Sequence, residues 1–154
     1  MASPATREKE RPSLTLRRHY AAAPAKVWRA WTDPQALKQW FGPAEITEVP
    51  VAEIDLRVGG RFRVVMLAED GERHEVSGAY REIVPHRKLV FSWAWVSTPE
   101  RESRVTVLIE PSGNGSDLTL LHEQFFDEAA REGHTHGWTG SMVKLEALLG
   151  ADVG

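Results

Sequence analysis

The chain has 154 residues, 42% of them hydrophobic and 27% charged, which fits one folded domain with a sizeable core and excludes wholesale disorder. A formal net charge of -3 removes any general electrostatic case for nucleic acid or an anionic membrane surface. The absence of cysteine excludes disulfides, thiolate metal sites and a cysteine nucleophile, and fits a reducing, cytoplasmic setting.

Residues 1–12 are polar and read as a disordered tail, which leaves 13–150 as a single domain. No apolar stretch follows that would serve as a signal peptide or membrane span. Leu14 to Tyr20 alternates apolar and polar residues, a first strand. Ala23-Pro24-Ala25 opens a helix, with Pro24 where its missing N–H costs nothing, and Val27, Trp28 and Trp31 fall on one face. Asp33 caps a second short helix with Leu37, Trp40 and Phe41 on its apolar side, and Gly42-Pro43 ends it.

From about residue 46 to 125 the pattern is strands and turns. Asp55 to Phe62 runs a strand through the paired glycines Gly59-Gly60 into another, where Phe62, Val64 and Met66 alternate with Arg61, Arg63 and Val65. Asp70-Gly71 signals a hairpin, and His74 to Ile83 forms the next strand. Leu89, Phe91, Trp93 and Trp95 make the clearest one-faced strand, Val105 to Ile109 repeats the pattern, and Leu118 to Phe125 closes the series after a Ser112–Asp117 loop. Within 134–149, Trp138, Met142, Leu145 and Leu149 recur at helical spacing, an amphipathic helix that keeps Gly137 and Gly140 near its start. Those glycines call for close approach or freedom to move, because each lowers helix propensity by about 1 kcal/mol relative to alanine. A curved sheet has to cover its apolar face, and this terminal helix is the element available.

With these residues placed, the chain resembles the helix-grip superfamily of START lipid-transfer domains and birch-pollen-allergen-like proteins. Within it, it is similar to the family related to the C-terminal domain of the activator of heat-shock-protein-90 ATPase. The segments that carry the likeness are WTDPQALKQWFGP (31–43), DLRVGGRF (55–62), EIVPHRKLVFSW (82–93) and HTHGWTGSMVKLEALL (134–149), and together they span about 14–149. The resemblance implies an α+β fold in which a curved antiparallel sheet of six or seven strands wraps around the long C-terminal helix, with two short helices after the first strand. It also implies a mostly apolar cavity between sheet and helix; on the residue pattern, entry is expected past the glycine-containing helix start and the Phe41 to Ile46 loop.

The reading that follows is a binding protein for a small apolar molecule, with Phe62, Met66, Tyr80, Phe91, Trp93, Trp95, His122, Trp138, Met142 and Leu145 as cavity residues. Trp28, Trp31 and Trp40 are expected to pack the helical cap onto the sheet end. Two other readings stand beside it. A protein-interaction module would contact a chaperone or another partner, although the chaperone activator carries an additional N-terminal domain for which this length leaves no room. A cavity enzyme would use His122 or Tyr80 as proton carrier, with no catalytic residue assigned. Neither cofactor nor metal is expected: His134 and His136 diverge on a helix, and His122 and Glu123 face opposite sides of a strand. A homodimer through surface strands is compatible with the pattern.

Overall fold

The computed structural model describes residues 11–151. Residues 1–10 of the expected tail lie outside them, whereas Pro12 is tied to the domain through its carbonyl, which accepts the Phe125 N–H at 3.2 Å. In chain order the elements are β1 (Leu14–Tyr20), α1 (Pro24–Thr32), α2 (Pro34–Leu37), β2 (Ile46–Ile54), β3 (Arg61–Ala68), β4 (Arg73–Val84), β5 (Lys88–Trp95), β6 (Ser103–Ser112), β7 (Gly115–Glu123) and α3 (Glu128–Ala151). Seven strands form one antiparallel sheet in the order β1-β7-β6-β5-β4-β3-β2, curled into a half-barrel around α3.

Period-two alternation decides which side chains meet inside this curl. The register sets Phe91 opposite Val105, Val105 opposite His122 and His122 opposite Leu14, so one inward row crosses β5, β6, β7 and β1. All four side chains are buried. A single imidazole in an otherwise apolar row has to find its partners from within the core.

The β4–β5 ladder keeps one register from Val76 to Tyr80, which sets Ala79 opposite Ser92, and the Ala79 N–H donates to the Ser92 hydroxyl at 2.9 Å; the ladder shifts by one residue between Tyr80 and Glu82. Ser92 is buried on the side of β5 opposite Phe91 and Trp93, as is Val90. Gly78 is required here for contact, since a Cβ at that position would stand 1.8 Å from the Ser92 carbonyl oxygen.

The short helices follow their capping chemistry. Asp33 accepts the Gln35 N–H at 2.9 Å, and Pro24 and Pro34 occupy first-turn positions. Trp40 is fully buried, donates to the Ala30 carbonyl at 2.9 Å and packs edge-on against Trp31 with centroids 4.7 Å apart. The Ser112–Asp117 loop is tighter than expected: β6 and β7 are joined by Gly113 and Asn114 alone.

The terminal helix differs most from the sequence reading. It starts at Glu128, six residues before the expected 134, because Asp127 caps it by accepting the Ala130 N–H at 2.8 Å. The extra turns place His134 on the same side as Trp138, four residues on. Met142, Leu145 and Leu149 are buried against the sheet as their spacing requires.

Candidate functional site

A cavity of about 330 Å³ opens between the 41–46 loop, strands β3 to β5 and the first half of α3. Phe41, Ile46, Met66, Trp93, Trp95 and Trp138 supply its apolar walls. The rings meet at angles: Trp93 lies 5.6 Å from Trp95 at 86°, 5.2 Å from Trp138 at 47° and 5.9 Å from Phe41 at 43°. Contacts of this edge-on and tilted kind suit aromatic quadrupoles and hold ring faces and edges in fixed positions.

Small residues on α3 account for the open space. Ala129, Ala130, Gly133 and Gly137 line the cavity, and a Cβ added at Gly133 or Gly137 would meet nothing within 4 Å. Gly140, one turn further on, is the opposite case. A Cβ there would stand 2.9 Å from Pro43 Cα, so this glycine lets the loop pass directly over the helix. The same crossing is fixed by the Gly42 N–H donating to Ser141 Oγ at 3.0 Å and by Lys144 Nζ donating to the Ile46 carbonyl at 3.0 Å. His136 Nε2 sits 3.1 Å from a Glu45 carboxylate oxygen at the rim. Gly42 has φ +94, and a Cβ would press against Ile46 at 2.8 Å, so no other residue fits there comfortably.

Two histidines organise the polar side of this region, and their protonation follows from their partners. An indole N–H only donates. Trp93 Nε1 at 3.2 Å and Trp95 Nε1 at 2.9 Å both point at His134 Nε2, which is therefore unprotonated. The His134 proton resides on Nδ1 and donates to the Ala130 carbonyl at 2.7 Å. His122 is the reverse tautomer: Nδ1 accepts from Trp138 Nε1 at 3.0 Å, and Nε2–H donates to Ser103 Oγ at 2.7 Å. Phe125 packs against both imidazoles, with centroids 4.2 Å from His122 and 4.9 Å from His134, and the imidazoles themselves lie 5.0 Å apart. Burial lowers the pKa of both, His122 more strongly because it is enclosed in the core and also feels the charge His134 would carry.

Of the residues expected at a ligand site, Met66, Trp93, Trp95 and Trp138 line this cavity. Phe62, Tyr80 and Phe91 instead surround a separate void of about 20 Å³ behind Trp93, a space of single-water size. His122, Met142 and Leu145 border neither space. Each packs in the core, His122 because its row partners are Val105 and Leu14. Trp31, assigned to the cap, also touches Trp138 with centroids 5.8 Å apart and so links cap to terminal helix. His134, at the centre of the polar cluster, was read as a helix-start residue. The signal that reveals it is Asp127-Glu128-Ala129-Ala130, a helix start that brings His134 into phase with Trp138.

Neither group named as a proton carrier is poised for that work. Both ring nitrogens of His122 are engaged, one accepting and one donating. Burial pushes the Tyr80 hydroxyl well above the ordinary phenol range. Among the described residues no helix is long and apolar enough to cross a membrane.

A seven-stranded antiparallel half-barrel closed on one long C-terminal helix, with a cavity between them, defines a helix-grip, START-like domain. The family model for "Activator of Hsp90 ATPase homolog 1-like protein" matches residues 21–150, and the chain belongs to that family. The crystal structure of the AHSA1 protein from Silicibacter pomeroyi is similar with a TM-score of 0.81 and 33% identity, covering 92% of this chain and 99% of that one. A protein from Chromobacterium violaceum is similar with a TM-score of 0.78 and 30% identity, covering 90% and 97%. Among curated proteins, human activator of 90 kDa heat shock protein ATPase homolog 1 is 27% identical over 125 residues. That match takes in 81% of this chain and 33% of the human protein, so the chain spans about a third of that relative.

Proposed function

We propose that this domain binds a small, largely apolar molecule in the cavity between sheet and terminal helix. The observation that carries the reading is the cavity itself: about 330 Å³ of space walled by rings and kept open by Gly133 and Gly137. Its size lies in the range of small-molecule sites. The ligand enters between the 41–46 loop and the first half of α3, where the Glu45–His136 pair stands at the rim. Engaged histidines and a buried tyrosine favour binding over proton transfer.

Native mass spectrometry of freshly purified protein, followed by extraction, tests this. A reproducible non-covalent adduct is expected, and it is expected to disappear in Gly137→Trp, which fills the cavity from a position with free space around it. An adduct that persists unchanged in that variant contradicts the site.

The human relative supports a second reading, contact with a chaperone, for which the name of that protein is the specific ground. ATP hydrolysis by a purified Hsp90 with this chain added decides it: under the ligand reading the rate stays unchanged, and a saturable rise favours chaperone contact.

A further inference from the structure

We propose that the cavity selects a neutral aromatic molecule carrying one hydrogen-bond acceptor and rejects the corresponding anion; this rests on the binding reading above. The fixed charge in the lining is the Glu45 carboxylate, and among the described residues no lysine or arginine lines the space. The basic side chains close by are directed elsewhere. Lys144 is turned onto the Ile46 carbonyl, His136 is paired with Glu45, and His74 lies 3.7 Å from Glu72. A buried carboxylate, sulfonate or phosphate would therefore find no counter-charge and would face a carboxylate at the entrance, which is unfavourable on both desolvation and Coulomb grounds.

Inward of the His74 and His136 side chains, the hydrogen-bonding inventory of the helix and tryptophan walls is nearly closed and leaves one opening. Ser141 Oγ accepts from Gly42 and donates to Gly137. The Trp138 N–H is taken by His122. His134 has a single in-plane lone pair on Nε2, yet two indoles share it, Trp95 at 2.9 Å and Trp93 at 3.2 Å. One N–H is surplus, and the more distant Trp93 is the donor that a ligand oxygen would engage. The remaining surface is ring faces and edges from Phe41, Trp93, Trp95 and Trp138, which match a flat molecule better than a branched one.

Matched probes separate charge from shape. Phenylnaphthylamine and anilinonaphthalene sulfonate share one skeleton and differ by the sulfonate. In titrations followed by tryptophan quenching, the neutral probe is expected to bind about tenfold or more tightly than the sulfonate. Glu45→Lys, an exposed change, is expected to narrow that gap by raising sulfonate affinity. Equal or tighter sulfonate binding to the unaltered protein, blocked by Gly137→Trp, leaves the cavity reading standing and overturns the selectivity. Binding of neither probe removes both. The acceptor is tested with Prodan, a neutral naphthalene ketone: Trp93→Phe removes wall area from both probes and is expected to weaken Prodan several-fold more than phenylnaphthylamine, and equal losses overturn the role given to the Trp93 N–H.

Discussion

Gly137 and Gly140 lie on one stretch of α3 and have the same helical backbone, yet their surroundings give opposite expectations. Gly137→Ala adds a methyl group to open space and gains helix propensity, so stability is expected to rise by about 1 kcal/mol, a few degrees in melting temperature. Gly140→Ala drives a methyl group to 2.9 Å from Pro43 Cα, and the overpacking is expected to exceed the propensity gain with a net loss of about 1 kcal/mol or more. Thermal melts of the two variants check both signs. His122 and His134 give the pH dependence. The fold keeps both neutral below the ordinary histidine value of 6.5, whereas the unfolded chain takes up protons there. The unfolded state then binds more protons, so stability is intact above 6.5 and falls as pH drops below it, by up to about 1.4 kcal/mol per pH unit for each histidine. The carboxylates held low, Asp33, Glu75 and Asp117, start from ordinary values of 3.8 to 4.5 and act only at more acidic pH. Urea midpoints measured between about pH 8 and pH 5 are expected to decline on the acid side, with a shallower slope in His122→Gln. A flat profile in the unaltered protein contradicts the buried neutral pair.

Element by element, what was legible depended on how local the signal is. Asp33 before Pro34 announces a cap, and Leu89, Phe91 and Trp93 announce a buried face, because capping and alternation involve residues within a few positions of one another. The start of α3 carried the same kind of signal at Asp127, obscured by a periodicity that first becomes clear at Trp138. Asp127→Ala is expected to cost about 1 kcal/mol in a denaturant titration, the usual loss for a helix cap, and no change would mean that the helix is fixed by packing alone. Position of a strand residue relative to distant strands is a different matter. His122 looked like a cavity residue because Leu118 and Leu120 share its face, but its neighbours Val105 and Leu14 come from register with strands far away in sequence. Ser92 likewise gives no local sign of its partner, because Ala79, whose N–H it accepts, comes opposite it only through the β4–β5 register. Ser92→Ala leaves that buried N–H without its partner and is expected to cost about 1–3 kcal/mol.

At the scale of the whole molecule, the curved antiparallel sheet and the covering helix were readable because a half-buried curved sheet admits few ways to cover its inner face, whereas the strand order came only with the structure. The cavity was not readable from residues alone. Whether a small side chain meets a neighbour or empty space depends on how closely two elements approach, and Gly137 and Gly140 show that identical residues one turn apart differ in this respect. Trp93, Trp95 and Trp138 therefore belong at once to a packed aromatic cluster and to the wall of a void. The six tryptophans make the location of a ligand directly observable, since each indole N–H gives its own resonance in a nitrogen-15 correlation spectrum. With phenylnaphthylamine added, the Trp93, Trp95 and Trp138 signals are expected to shift while those of Trp28 and Trp40 stay in place. Shifts confined to Trp28 or Trp40, or no shift at saturating probe, would contradict binding between the sheet and the terminal helix.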